Sequence, residues 1–327
     1  MTTASQLTRT HTALGLFAAV GASLSFGISG PFARGLIEAG WSPDAAVLAR
    51  IWIAALVLLI PTLWTLRGKW RAVRDNLGTL LAFGLLAVLG TQFCYFHAVE
   101  RMDVGLALLI QFTAPIVILL WLWMRRGERP SKPSIVGAVV AFGGLVLMLD
   151  ILTGARVDAI GVLWALGGMT GTVIFFLVSA RHDTGIPPIA FAGLGLLIGA
   201  VAISILGLAG ILPFTWNTND VSFLFGTTPW YLPVIVIGVV SAGLAFALSV
   251  IGVRILGSRL ASFIAILEVV VAMFFAWLLL GQLPEAIQLV GGVLVLGGII
   301  VVKLGEPEPE IEVVRADTGG ITLPPHS

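Results

Sequence analysis

Residues 136–149 read VGAVVAFGGLVLML, and residues 290–303 read VGGVLVLGGIIVVK. Both are unbroken apolar runs with a glycine pair at the same place, and they stand 154 positions apart, Gly291 against Gly137. The same offset sets Ala107 on Ala261, Gly127 on Gly281, Pro130 on Pro284, Gly143 on Gly297, Gly144 on Gly298 and, further back, Gly84 on Gly238. The chain has 39 glycines, so some agreement among glycines arises by chance. The matched prolines and the gapless run from the third span to the fifth are what argue for an internal repeat.

Runs of this kind recur along the whole chain. An α-helix needs about 20 apolar residues to cross a hydrocarbon core about 30 Å thick. Cutting the sequence at its charges and turn residues leaves ten such spans: 13–36, 45–66, 77–99, 104–124, 133–151, 159–180, 188–211, 230–253, 260–280 and 285–303. The runs do not alternate as β-barrel strands do, which excludes a barrel. Composition agrees: 58% of residues are hydrophobic and 11% charged, with a mean hydropathy of +1.06. Soluble domains carry about 25% charged residues, and disordered chains are poor in apolar ones, so both classes are excluded. The expected fold is an all-α integral membrane protein with ten transmembrane helices.

Of the 18 basic residues, fourteen fall in the N-terminal segment, the even-numbered loops and the C-terminal tail: Arg9; Arg67, Lys69, Arg71 and Arg74; Arg125, Arg126, Arg129 and Lys132; Arg181; Arg254 and Arg259; Lys303 and Arg315. The odd-numbered loops hold Arg34, Arg101 and Arg156. The positive-inside rule therefore places both termini in the cytoplasm. Each repeat holds five spans, and an odd number inverts the second copy. The domains expected are a cytoplasmic segment at 1–12, repeats at 13–151 and 159–303, and a disordered, glutamate- and proline-rich tail at 304–327. Inverted repeats are an architecture of secondary transporters, whose substrate sits near the midplane between the halves. The first apolar run is longer than the core of a signal peptide, so it is expected to be a helix.

Three stretches carry a family likeness: AVERMDVGLALLIQFTAPIVILLWLWMRRGERP at 98–130, SRLASFIAILEVVVAMFFAWLLLGQLP at 258–284, and the glycine patterns of the fifth and tenth spans. With them the chain resembles the drug/metabolite transporter superfamily, specifically its ten-helix EamA-type exporters. Among these it looks most like threonine/homoserine-type amino-acid exporters. The resemblance implies a proton-coupled exporter of small metabolites, amino acids first, in a bacterial inner membrane; a facilitative carrier, or a permease for drugs or other metabolites, is the alternative. Two positions depart from the pattern. Val269 stands where the family usually has proline after the ninth-span glutamate, which is expected to alter the shape of that span. Gln282 stands where LGE is usual.

Ionisable residues inside a membrane are costly unless paired or hydrated, and so mark candidate functional positions. Two lie well within spans, Arg50 and Glu268. Glu268 shares a helical face with Ala261, Ala265 and Ala272, and the equivalent face of the fourth span carries Ala107, Gln111 and Ala114. Small residues permit close helix approach or leave room for a ligand. Glu268 is read either as a site for a proton or a substrate ammonium group, or as a polar packing contact. Arg50 is read either as a carboxylate clamp through its bidentate fork, or as a side chain that snorkels outward or caps carbonyls of a neighbouring helix. Gln92 and Tyr95 share one face of the third span and could hydrogen-bond a polar solute. His97, near that span's outer end, fits a solvated or core histidine better than a proton relay. Gly30-Pro31 should kink the first span, because proline removes a backbone donor; the kink is a candidate hinge.

Other chemistries lack their residues. No Walker A sequence, H-E-x-x-H, nucleophile elbow or cysteine–histidine cluster is present, and Cys94 is the lone cysteine. An enzyme is not expected, nor a cofactor, a metal or a nucleic-acid partner. The expected partners are a small-molecule substrate, protons exchanged against it, the bilayer, and a second copy of the chain.

Overall fold

The computed structural model describes residues 2–101, 104–127, 129–148, 158–281 and 283–305. The tail from 306 onward, and Asp103, Asp150, Arg156 and Gln282, lie outside the described residues. In hydrocarbon a helix satisfies its own backbone donors and acceptors, and helices account for nearly all of the described chain. They are α1 (Thr2–Gly27), α2 (Ser29–Glu38), α3 (Pro43–Thr65), α4 (Trp70–Asp75), α5 (Leu77–Ala82), the π-helix π1 (Phe83–Gly90), α6 (Thr91–Arg101), α7 (Val104–Gln111), α8 (Ala114–Arg126) and α9 (Lys132–Met148). There follow α10 (Ala159–Ser179), α11 (Pro188–Leu208), α12 (Tyr231–Ile235), the π-helix π2 (Val236–Leu244), α13 (Ala245–Ala265), α14 (Leu267–Leu280) and α15 (Ala286–Gly305).

Among the described residues, eight helical stretches are long and apolar enough to cross a bilayer, and Lys132–Leu147 and Leu267–Leu280 are shorter apolar helices. The expected eighth span and the start of the ninth run together as one stretch, Tyr231–Ala265, and the rest of the ninth is Leu267–Leu280. Inside it Gly257 adopts φ 81°, ψ 164°, a conformation essentially restricted to glycine. Contacts with α1 show what this does. Before Gly257, α13 runs antiparallel to α1: Leu248 lies by Gly21, Gly252 by Ala19 and Ile255 by Gly15. After it the sense reverses. Ser23 donates to the carbonyl of Ile264, and Gly27 lies against Glu268 and Val271.

The 154-residue offset has geometric counterparts. Residues 83–90 of π1 map onto 237–244 of π2. The interruption between α7 and α8 at Phe112–Thr113 maps onto Ile266–Leu267, where α13 gives way to α14. Gly127 ends α8 with φ 69°, ψ 10°, and Gly281 ends α14 with φ 69°, ψ 16°. The quoted glycine runs bring α9 onto α15. Gly144 faces the carbonyl of Gly291, and Gly137 faces that of Gly298.

Contacts between the early and late helices build the core. Gly84 of π1 receives Ile198 of α11, and Gly238 of π2 receives Ile53 of α3. Phe83 is fully buried over Gly195, its ring 4.6 Å from Phe191 and 5.5 Å from Phe175. The long loop at 212–229 carries a feature that sequence reasoning missed, a β-hairpin of β1 (Val221–Phe223) and β2 (Gly226–Thr228). Val221 is fully buried, Val221 and Phe223 both close on Gly35, Phe223 stacks edge-on with Phe32 at 5.3 Å, and Leu224 N–H donates to the Leu279 carbonyl at 2.7 Å. The hairpin thus spans from α2 to the end of α14.

Candidate functional site

Between these helices lies a cavity of about 960 Å³, lined by Arg50, Glu268, Gln111, Gln92 and Tyr95, and by Gly30 and Pro31. All seven sequence-selected positions therefore border one space. Its mouth is at Arg34, Glu38, Leu283 and Glu285, and its floor at Ala19, Val253 and Ala261. Below the floor, the Gly15–Ile255 and Ala19–Gly252 contacts close the molecule.

Glu268 occupies the first turn of α14. The interruption at Ile266 makes that turn a helix N-terminus, where the backbone dipole favours negative charge. The break arises although Val269 occupies the position of Pro115 in the first repeat, so the missing proline does not straighten the span. Arg50 projects from α3. Its Nη2 donates to the Ser241 carbonyl of π2 at 2.9 Å, and its guanidinium lies 6.0 Å from the centre of the Phe26 ring. It does not snorkel outward; it caps a carbonyl and faces the cavity at once. Arg50 and Glu268 lie within electrostatic reach of each other without forming an ion pair. Tyr95 also falls within the field of Glu268.

Gln92 and Tyr95 reach the cavity from α6, on one face as their spacing requires. Gln111 is the last residue of α7. Its Oε1 is buried without a hydrogen-bond partner and points toward Gly168. His97 stays outside the lining. Its Nδ1 is 3.0 Å from the Phe93 carbonyl, and its ring packs between Phe93 and Trp164 at 4.2 and 4.9 Å. The first span is interrupted at Ile28, with α1 ending at Gly27. Gly27 is four residues before Pro31, the position whose carbonyl a proline ring obstructs.

Sequence reasoning also missed the aromatic wall. Phe26, Phe175, Phe176 and Phe246 line the cavity, with Phe26–Phe246 and Phe175–Phe246 edge-on at 5.2 and 5.8 Å. A phenylalanine inside an apolar span carries no signal of its own. The mouth's Arg34–Glu38 pair, at 2.9 Å, was likewise legible only as loop charge. The site as built offers an anion-binding guanidinium, a carboxylate, several neutral hydrogen-bonding groups and an apolar aromatic face. That set can hold a small solute bearing both charges, and the carboxylate can take up and release a proton.

The model of the EamA-like transporter family matches residues 13–150 and 159–304. An uncharacterized transporter of Archaeoglobus fulgidus is 26% identical over 238 residues, covering 72% of this chain and 78% of that protein. The uncharacterized transporter YyaM of Bacillus subtilis is 23% identical over 274 residues, covering 80% and 84%. The uncharacterized inner membrane transporter YicL of Salmonella typhimurium is 21% identical over 233 residues, covering 71% and 74%. A solved crystal structure matches with a TM-score of 0.69 at 21% identity, covering 90% of this chain and 97% of the other, which speaks for the fold. The chain belongs to the EamA-like transporter family, and it is an integral membrane transporter.

Proposed function

We propose that this EamA-like transporter is a secondary active exporter of amino acids or related small metabolites, working by alternating access in exchange for protons. The observation that carries the reading is the cavity shared by Arg50 and Glu268, one contributed by each repeat. In this reading Arg50 holds the substrate carboxylate through its fork. Glu268 receives the ammonium group, or the proton that replaces it. Gln92, Tyr95 and Gln111 complete the polar side, and Gly30-Pro31 lies at the hinge.

The same reading has ten crossings in two inverted five-span repeats, with both termini on the cytoplasmic face of a bacterial inner membrane. Its support is the two shorter apolar helices beside the eight long stretches, with the reversal at Gly257 joining residues 258–265 to α14 as one crossing, and the paired π-helices. In this reading, by the excess of basic residues in the even-numbered loops, the closed floor is cytoplasmic and the mouth is outside. The molecule would thus stand outward-open.

The aromatic wall favours a second reading, efflux of bulky apolar compounds by the same fold. Everted membrane vesicles given a labelled amino-acid panel, with and without an imposed proton gradient, test both. Saturable, gradient-driven uptake of an amino acid is the expected result. A flat amino-acid panel with uptake of lipophilic compounds would select the second reading, and uptake of neither class would overturn both.

A further inference from the structure

We propose that Arg50 is a positioning residue that ties solute capture to the register of π2, and through it to the closed floor of the cavity. The inference rests on the proposed capture of a carboxylate by Arg50. Arg50 is the one guanidinium in the lining that touches π2: its Nη2 reaches the Ser241 carbonyl at 2.9 Å. A carbonyl has two lone pairs, so that of Ser241 can serve the helix and the arginine together. π-Helical turns are rare and recur at functional sites, because one residue more is wound into the turn than an α-helix holds.

The register of π2 matters because α13 continues directly from it. Phe246, Ser249 and Val253 of α13 line the cavity, and Gly252 and Ile255 seal the floor against Ala19 and Gly15. Returning π2 to α-helical register would rotate all of these by about 100°, the angle per residue of an α-helix. Rotation takes Ile255 off Gly15, where the fit leaves no room for a side chain, and so opens the floor. A solute carboxylate that draws the Arg50 fork into the cavity removes the Ser241 contact, and with it one restraint on the π register. The ligand thereby acts through differential interaction with the two states, as a conformational shift requires. π1 provides an internal comparison. It sits at the equivalent register in the first half of the chain, and there the neutral hydroxyl of Thr91 reaches a carbonyl one position earlier, that of Leu86, the counterpart of Val240, at 3.5 Å.

Hydrogen exchange on the full chain in lipid nanodiscs tests this, comparing peptides over 236–247 with peptides over 83–91. Replacing Arg50 by methionine (R50M) is expected to raise exchange in 236–247 about fivefold, as loss of a local restraint does, and to leave 83–91 unchanged. No change in 236–247, or an equal change in both segments, overturns the proposal. Should R50M not give monodisperse protein, R50K takes its place. Lysine keeps the charge but has a single ammonium that cannot hold Ser241 and face a ligand together, so the same local rise is expected, and wild-type exchange overturns the proposal. In transport, R50K normalised to the amount of monodisperse protein is expected to lower turnover about tenfold with half-saturation within about threefold, as loss of an interaction used in the transition between states does. A saturating transported amino acid should reproduce the 236–247 rise in the wild type. If the variants show the rise but no amino acid does, the carboxylate reading falls and the tie between Arg50 and π2 stands.

Discussion

Gly137 and Gly298 lie backbone to backbone where α9 crosses α15: a Cβ on Gly137 would stand 2.7 Å from the carbonyl oxygen of Gly298. The offset partners of these two residues, Gly291 and Gly144, also meet, a Cβ on Gly144 of α9 standing 2.6 Å from the carbonyl oxygen of Gly291 of α15. Between them are Gly143 and Gly297, which face open space. The glycine pattern thus does two things. One glycine of each pair lets the backbones touch; the other is free.

That division predicts unequal tolerance. G298V must drive its new methyls into the Ala141 backbone, which cannot move aside as a side chain can, and overpacking of this kind costs about 1–3 kcal/mol. G297V meets nothing. Unfolding in detergent, followed by tryptophan fluorescence, should show a clearly lower midpoint for G298V and an unchanged one for G297V. Equal midpoints would contradict the crossing of α9 and α15.

Gly257 predicts a second stability effect. At φ 81°, ψ 164° a Cβ is strained whatever the space around it, at a cost of about 1–3 kcal/mol. G257A is expected to lower the unfolding midpoint even though no atom lies within 4 Å of its new methyl. G297A, in open space at a helical position, is the control and should be neutral or slightly stabilising.

Glu268 is the proposed proton site, so E268Q should uncouple rather than unfold. Gradient-driven uptake in everted vesicles is expected to fall about tenfold or more, the usual scale for losing a positioned proton-transfer group, with the amount of folded protein unchanged. Full proton-dependent transport by E268Q would remove the proton role and leave the carrier intact.

The hairpin predicts a local effect at the mouth. L224P removes the N–H that bonds to the Leu279 carbonyl, a loss of about 1 kcal/mol. Limited proteolysis from the face that carries the mouth should cut within 221–228 faster in L224P, while cleavage in the loops of the opposite face stays as in the wild type.

The glycine runs and the long apolar stretches told the all-helical membrane fold. Glycines that meet backbone, such as Gly137 and Gly144, recur because a side chain there is excluded, and that exclusion is visible as a pattern. Arg50 and Glu268 stood out for a similar reason: burying such groups is costly, so their presence inside spans is itself a signal. The π-helices were not legible, since apolar runs such as FGLLAVLG look alike in either register. Nor was the hairpin, whose Val221 is fixed by Gly35 on another helix rather than by its neighbours. The break at Ile266 was half legible. Pro115 marks its counterpart, but Val269 gives no sign.

The exchange of partners between early and late helices bears on how the chain is made. Gly84 is filled by Ile198, and Ile53 fills Gly238, so each site waits for residues translated more than a hundred positions later. At the usual 5–20 residues per second the wait is on the order of ten seconds. During that interval the first helices stand in the membrane with unoccupied notches and with Arg50 lacking its carbonyl from Ser241. Insertion of the early helices must therefore be separable from their final docking, and a ribosome paused before residue 238 would hold a nascent chain whose arginine has no partner in π2.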